Sequence, residues 1–555
     1  MRTRILLPLL LALLPFHNNW AQNNRNFDTA KMLEIFNNIY RHLDYSFVDT
    51  LDANRTIGTA ITAMLENLDP YTEYYTEDGA TDLITMTTGK YAGIGAGVRY
   101  HKGKERVVFE VPNVGQPAHQ GGVRMGDVIM AIDGKDVGTR GKQDVKDYLQ
   151  SVVKQLRGDA GSTFTLTVQR PGTKQPLHLR IVRARITQPS VLYAGLVAND
   201  AGLIVLNAYT EDTSKDFKAA LEQLQQQGAK KLIIDLRSNG GGLMDQAVEV
   251  VNNFLPQGKL VLETRGKSPD VVNRYHTENQ PFDLHMPIVV LVNGATASAA
   301  EITAGTLQDY DRAVIMGQRT FGKGLVQSSR SLPYHGILKF TSARYYIPSG
   351  RCVQAYDFSQ RGADGTPRHL PDSLAKSFRT QAGRVVKDGG GIQPDVRLQV
   401  DSLPNLLIYL SASDELFDYC ADYCRTHKQV ADPTQFTLTD EEFDDFKRYM
   451  AKTSFTYDNV TLRALQRVKD LAKLEGYSEV AAEAFETLET KLKHNLTDDL
   501  ERWKPQVKEE LEKTIIEHFY GQQGQIVYVI HRDKDIKAAN ELLHNNSKYK
   551  KLLSK

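Results

Sequence analysis

The sequence predicts a multidomain α/β protein with helical regions at both ends, and three observations carry that expectation. Two apolar runs, Leu232-Ile-Ile-Asp235 and Pro287-Ile-Val-Val-Leu-Val-Asn293, each pass through a turn of small residues into a helical pattern, at 243–255 and 299–307. Short continuous apolar runs followed by helices are the mark of buried parallel strands. A glycine-punctuated stretch over 91–172 reads as short strands and turns. The two ends carry apolar residues at helical spacing among many charges. A chain of 555 residues is long enough for roughly three or four domains, each with its own core.

The first residues read as a targeting segment, residues 1–22. Arg2 and Arg4 precede an apolar run, Ile5 to Phe16, with the small residue Ala21 after it, as in a secretory signal peptide. The run is short for a membrane span, no cysteine near it offers an acyl anchor, and an uncleaved anchor is the lesser alternative. Residues 23–86 then form a helical region, with Met32, Leu33, Ile35, Phe36 and Ile39 at helical spacing and a second helix over 56–68. Asp69-Pro-Tyr-Thr-Glu-Tyr-Tyr75 breaks it.

Residues 87–185 form the next unit. Tyr91-Ala-Gly93-Ile-Gly95-Ala-Gly97-Val-Arg-Tyr100 joins a glycine-rich loop to a strand, and Val107 to Val111 reads as its neighbour. Gly126-Asp127-Val-Ile, Asp133-Gly134 and Phe164-Thr-Leu-Thr-Val-Gln-Arg170-Pro-Gly172 continue the pattern. On its own, a Gly-x-Gly-x-Gly is more often a plain turn.

The core, 186–400, carries the chemistry. Ser298 stands where the strand 287–293 turns into the helix 299–307, so helix amides and the positive dipole end lie beside it. Lys323 follows among glycines in Gly317-Gln-Arg-Thr-Phe-Gly-Lys323-Gly-Leu-Val-Gln327. A serine attacks a carbonyl only if a neighbouring base takes its proton, and lysine serves when an apolar site keeps it neutral. Phe321 and Leu325 are the expected apolar neighbours. Taken singly, such a serine is more often an N-cap and such a lysine a solvated charge. The third element is Asp235-Leu-Arg237-Ser-Asn239-Gly-Gly241-Gly242, whose glycines let main-chain amides face an oxyanion, or simply make a tight turn. The Lys-[Ser/Thr] ending of a nucleotide-binding loop is absent.

In this order, the three motifs make the chain resemble the carboxyl-terminal processing peptidases, or tail-specific proteases. Phe340-Thr-Ser-Ala-Arg344-Tyr-Tyr-Ile-Pro348 and Gly391-Ile-Gln-Pro394-Asp395 extend the resemblance over residues 30–400. It implies a crotonase-like serine protease core with Ser298 as nucleophile, Lys323 as general base and Gln327 orienting the base, while amides near Gly241, Gly242 and Ala299 form the oxyanion hole. Gln327 can meet Lys323 only if the segment winds into a helical turn, because in a strand the two lie about 13 Å apart. Residues 87–185 are similar to a PDZ domain, either inserted in or preceding the core. There, amides of Gly93, Ile94, Gly95 and Ala96 would hold a peptide's terminal carboxylate, with Ile94, Ala96 and Val98 lining the side-chain pocket.

The implied activity is that of an exported serine endopeptidase, periplasmic or membrane-associated on the outer side of the inner membrane. Its partners would be unfolded or processed proteins with free C-termini and a second copy of the chain in a homodimer; no adaptor is identified. No cofactor and no metal are expected, since the cysteine and histidine spacings give no ligand set. The net charge of +1, with both signs mixed, leaves no footprint for nucleic acid. Three cysteines make no disulfide framework; Cys420 and Cys424 share a helix face, and Cys352 has no neighbouring histidine. Residues 355–390 read as a surface excursion and 401–555 as packed helices of unassigned role. Two other readings stay open at this level: a non-catalytic PDZ peptide-binding scaffold, and a serine esterase or amidase of small substrates.

Overall fold

The computed structural model describes residues 18–198, 200–268, 271–399 and 403–554. The apolar run at 5–16 lies outside the described residues. Two compact units are present, residues 1–74 and 75–555. The first holds α1 (Asn18–Ser46) and α2 (Ala53–Glu66), the latter capped by Asp52, whose carboxylate accepts from the Arg55 amide at 3.1 Å. The predicted stripe of α1 is not a buried one: Met32, Leu33, Phe36 and Ile39 are all exposed.

In the second unit, α3 (Glu77–Thr88) leads to β1 (Lys90–Gly93), β2 (Ala96–His101), β3 (Arg106–Pro112) and β4 (Val128–Ile132). Helix α4 (Val145–Leu156), β5 (Thr163–Gln169), β6 (Leu177–Val182) and β7 (Ala184–Thr187) follow. The sheet runs β2-β3-β4-β5-β6, and β1 pairs with β7 at its base. Both faces of β3 are covered. Val107 and Phe109 face a core shared with Tyr148 and Val152 of α4, while Val108 joins a cluster of helical residues from the C-terminal region. The two-residue period of a strand thus splits one short run between two cores.

The central sheet is built from β8 (Val191–Ala198), β9 (Ala201–Leu206), β10 (Lys231–Asp235), β13 (Ile288–Val292), β14 (Val314–Gly317) and β17 (Val396–Arg397), in that order. All neighbours are parallel except β8 and β9. Between them run α5 (Thr213–Gln226), α6 (Met244–Asn252) and α7 (Ala299–Asp309). A second sheet holds β11 (Leu260–Gly266), β12 (Val272–His276), β15 (Leu325–Ser331) and β16 (Ile337–Tyr346).

Every residue of β13 is buried, and they alternate between layers. Ile288, Val290 and Val292 pack with α5, α6 and α7; Val289 and Leu291 pack with residues far along the chain. Those residues come from the C-terminal region, where α8 (Asp414–Thr426) and α9 (Lys504–Arg532) are followed by α10 (Lys534–His544) and α11 (Asn546–Leu553). Ile536, Ala539, Leu542, Leu543 and Tyr549 cover the second face of the central sheet. The helices after 401 therefore divide: α8 and α9 pack against the 87–185 unit, and α10 and α11 complete the core.

The 355–390 excursion folds into two small hairpins, pairing Tyr356–Arg361 with Pro367–His369 and Ser377–Arg379 with Val385–Lys387. All three cysteines are free, with Cys420 and Cys424 buried. Among the described residues, no helix is long and apolar enough to cross a membrane, and no group of His, Cys, Asp or Glu is placed to hold a metal ion.

Candidate active site

Strand β13 ends in a turn that its own side chains lock. The Thr296 hydroxyl donates to the Leu236 carbonyl at 2.7 Å and accepts from the Asn293 amide at 3.0 Å. Asn293 Oδ1 accepts from the Ser238 amide at 2.9 Å. These bonds tie the end of β13 to the loop after β10. The chain then enters α7 through Ser298 at φ 56° and ψ −118°, a conformation that costs a non-glycine residue about 1–3 kcal/mol. The serine is half-buried at the start of a helix whose every residue is buried.

Glu301, one turn into α7, organises the centre. Its side chain is fully buried and accepts four hydrogen bonds. Oε2 takes the amides of Ser298 (2.9 Å) and Lys323 (2.8 Å); Oε1 takes the Thr320 hydroxyl (2.6 Å) and the Gly322 amide (2.8 Å). One oxygen thus holds the main chain of both candidate reactive residues within two hydrogen bonds of each other. Burial pushes the Glu301 carboxyl above its ordinary pKa, and the four donors oppose that push. Sequence reading missed this residue. The Ser-Ala-Ala-Glu spacing of a capping box was the signal available for it.

The loop after β10 brings its glycines against the serine. Gly241 has φ 95°, and a Cβ there would stand 2.8 Å from Ser298 Cβ and 2.9 Å from the Ala299 nitrogen. Only glycine permits that approach. The amide of Gly241 is nevertheless not an oxyanion donor here, because it donates to Asn239 Oδ1 at 2.8 Å. Asn239 is itself fully buried, donates to the Leu206 carbonyl at 2.7 Å and accepts the Ala297 amide on its own carbonyl at 2.9 Å. The amides of Gly242 and Ala299, by contrast, meet no acceptor among the described residues. Of the three predicted donors, these two are the ones with no internal acceptor.

Of the apolar neighbours expected for Lys323, Leu325 is buried and Phe321 is 43% exposed. The segment forms no helical turn between Lys323 and Gln327. Residues 325–331 make the strand β15, paired antiparallel with β16 through a bulge between Val326 and Gln327, and the Gln327 side chain donates through Nε2 to Thr341 Oγ1 at 3.3 Å. The strand ladder of β15 and β16 outweighs the local turn. Tyr345 of β16, buried, donates its hydroxyl to the Ser298 carbonyl at 3.3 Å and so braces the Ser298 turn from the second sheet.

Comparison with known proteins gives the same order of parts. Residues 108–170 match the family described as PDZ domain, 200–360 match Peptidase family S41, and 406–543 match the "Probable PDZ-protease, C-terminal helical domain". A carboxy-terminal-processing protease of Bartonella bacilliformis is 38% identical over 335 residues, covering 60% of this chain and 74% of the relative. The chain belongs to peptidase family S41. It is a serine-type peptidase of the carboxyl-terminal processing kind. A probable CtpA-like serine protease of Staphylococcus aureus is 33% identical over 369 residues, 66% of this chain and 71% of the relative. Among solved structures, a photosystem II D1 C-terminal processing protease is 27% identical, with a TM-score of 0.36, over 66% of this chain and 88% of that one.

The PDZ domain of this S41 peptidase lies before the core strands. Strand β2 is the edge of its sheet, hydrogen-bonded only to β3 among the described residues. Ala96, Val98 and Tyr100, on one face of β2, pack half-buried against the PDZ core beside Leu149 of α4. Ile94 departs from expectation: it is 4% exposed and belongs to the core, so it offers no open pocket wall. Gly93 closes β1, and Gly95 turns the chain into β2 with φ 66°. The Ile94 and Gly95 carbonyls accept the amides of Ala118 (2.8 Å) and Asn113 (3.1 Å), which pins the loop that leads to Ala96.

Proposed function

We propose that this peptidase cleaves peptide bonds through an acyl-enzyme on Ser298, with Lys323 as the base. The observation that carries the proposal is the shared Glu301 oxygen, which holds the Ser298 and Lys323 amides together at a strained serine. A neutral Lys323 amine takes the Ser298 hydroxyl proton as Oγ attacks the substrate carbonyl. The oxyanion that forms is met by the Gly242 and Ala299 amides at the N-terminus of α7. The lysine then returns the proton to the leaving amine, and water hydrolyses the ester by the same route. Because the base must be uncharged, turnover falls as pH is lowered. Gln327 joins the lysine only if the 323–327 segment leaves the strand geometry described above. The kinship of the core with crotonase-like folds rests on the family resemblance, supported by a largely parallel sheet flanked by helices.

The substrates proposed are unfolded or processed proteins with free C-termini. An open edge on β2 and the half-buried face of Ala96 and Val98 support strand addition of a peptide there. The leader-like residues 1–22 support export, to the periplasm or the outer side of the inner membrane. The exposed apolar stripe of α1 supports assembly as a homodimer. Cleavage of an unstructured protein with an apolar free carboxyl terminus, compared between wild type and Ser298→Ala, tests the reading. Cleavage by wild type alone is expected; cleavage by both overturns the nucleophile. Binding of the tail without cleavage by either would instead favour the scaffold reading.

A further inference from the structure

The loop that carries Gly241 and Gly242 is gripped by residues nearly 300 positions away in the chain. Arg237 leaves β10 with a side chain that is largely buried. Its Nε donates to both oxygens of Asp235 (3.0 and 3.1 Å), and Nη2 donates to Asp235 Oδ2 at 2.6 Å. Nη2 also reaches Asp533 Oδ2 at 2.8 Å, and Nη1 reaches Asp535 Oδ2 at 3.2 Å. Asp533 is the N-cap of α10, its other oxygen taking the amides of Asp535 (2.8 Å) and Ile536 (3.0 Å). Three carboxylates share one guanidinium.

Such a cluster is a poor device for stability, because desolvating four charges offsets most of their attraction. It is a good device for fixing position, since a planar guanidinium held from two sides has one orientation. What it fixes is a strained loop. Ser238, the next residue, has φ 60°, and the loop then passes through Asn239 to the glycines that abut Ser298. On the same side of the sheet, Tyr549 of α11 donates its hydroxyl to the Ile288 carbonyl (3.0 Å) and accepts the Ile288 amide (2.8 Å), at the start of the strand that delivers the serine. Burial works against the Arg237 charge, and the carboxylates overcome it, so the guanidinium stays charged.

We propose that Asp533 and Asp535, at the start of α10, are positioning residues of the active site: through Arg237 they set the Ser238 to Gly242 loop so that the Gly242 amide meets the oxyanion. The proposal rests on the Ser298 mechanism above. It gives the end of the C-terminal helical region a part in transition-state stabilisation.

The test compares Asp533→Asn, Asp535→Asn and the double variant with wild type, Tyr549→Phe and Ser298→Ala in the full-length protein. Asparagine retains the N-cap at 533 while removing the charge. Tyr549→Phe loosens the same helix-on-sheet packing without touching Arg237. Readouts are kcat and KM for a chromogenic peptide, affinity for a peptide boronic acid that forms a tetrahedral adduct on the serine, and the urea unfolding midpoint. The expected result for the double variant is a fall in kcat of roughly tenfold or more, KM within about twofold, and boronate affinity weakened by the same factor as kcat. Tyr549→Phe should lower the unfolding midpoint at least as much while keeping kcat near wild type. Wild-type kcat in the double variant overturns the proposal, as does an equal loss of kcat in Tyr549→Phe. Cleavage retained by Ser298→Ala would overturn the mechanism itself, a different failure from either of those.

Discussion

Replacing Glu301 by glutamine changes one oxygen to an NH2 and almost no volume, which makes it the sharpest probe of the centre. The carboxylate accepts four donors and donates nothing. With the amide nitrogen towards Ser298 and Lys323, two buried N–H groups lose their acceptor and face another donor. The less costly orientation turns the nitrogen towards Thr320, whose hydroxyl can reverse to accept, and leaves the Gly322 amide without a partner. An unsatisfied buried donor costs about 1–3 kcal/mol, and removal of the charge weakens the three bonds that survive, so a loss of about 2–4 kcal/mol in stability is expected. The catalytic effect should exceed what that number suggests. The Ser298 turn and the Lys323 segment share an oxygen, and a displacement of about 1 Å between reacting groups costs about 100-fold in rate. Urea unfolding and kcat for a chromogenic peptide measure the two effects in one preparation. A Glu301→Gln enzyme within about 0.5 kcal/mol of wild type and with undiminished kcat would refute the assignment of Glu301 as the residue that aligns the pair.

Three further predictions concern separate parts of the molecule. Gly241→Ala introduces a Cβ 2.8 Å from Ser298 Cβ at φ 95°, so it should abolish labelling of the serine by a fluorophosphonate while PDZ peptide binding, followed by fluorescence anisotropy, is retained. Gln327→Ala should lower kcat at least about tenfold if the 323–327 segment rearranges in the working enzyme; unchanged kcat would leave Gln327 as a strand residue paired with Thr341. Asp418 on α8 meets His101 Nε2 at 3.0 Å and Lys104 at 2.9 Å on the PDZ domain; burial acts to raise its pKa, and these hydrogen bonds prevail and lower it. A depressed carboxyl binds protons more weakly in the folded state, so its contribution is present above the ordinary aspartate value of about 3.9 and is lost as pH falls through the folded one. Thermal midpoints measured from pH 7 downwards should therefore fall more steeply for wild type than for Asp418→Asn, and parallel curves would refute that role.

The legible parts of the sequence were those in which one segment dictates its own geometry. The apolar run ending at Val292 and the small residues around Ser298 specify a buried strand, a tight turn and a helix without reference to anything distant, and β13 and α7 occupy those positions. The glycines at 241 and 242 announced a close backbone approach, which is present. What escaped were features made by partners far apart in the chain. Nothing local says that the Gly241 amide is taken by Asn239, or that Gln327 is drawn into a ladder with β16. Glu301 was overlooked because its partners lie 19 to 22 residues away, although its spacing from Ser298 was visible. In the same way, α10 and α11 read as charged helices of unassigned role, since the surface they cover belongs to strands more than 200 residues earlier.

The pairing of Tyr549 with Ile288 spans 261 positions. Until residues 534–553 emerge during synthesis, Leu203, Ile233, Val289 and Leu291 have no cover on one face of the central sheet. Contacts of such long sequence separation form late. The strand that ends at the Ser298 turn is therefore enclosed on both faces only when residues from the far end of the chain have packed against it.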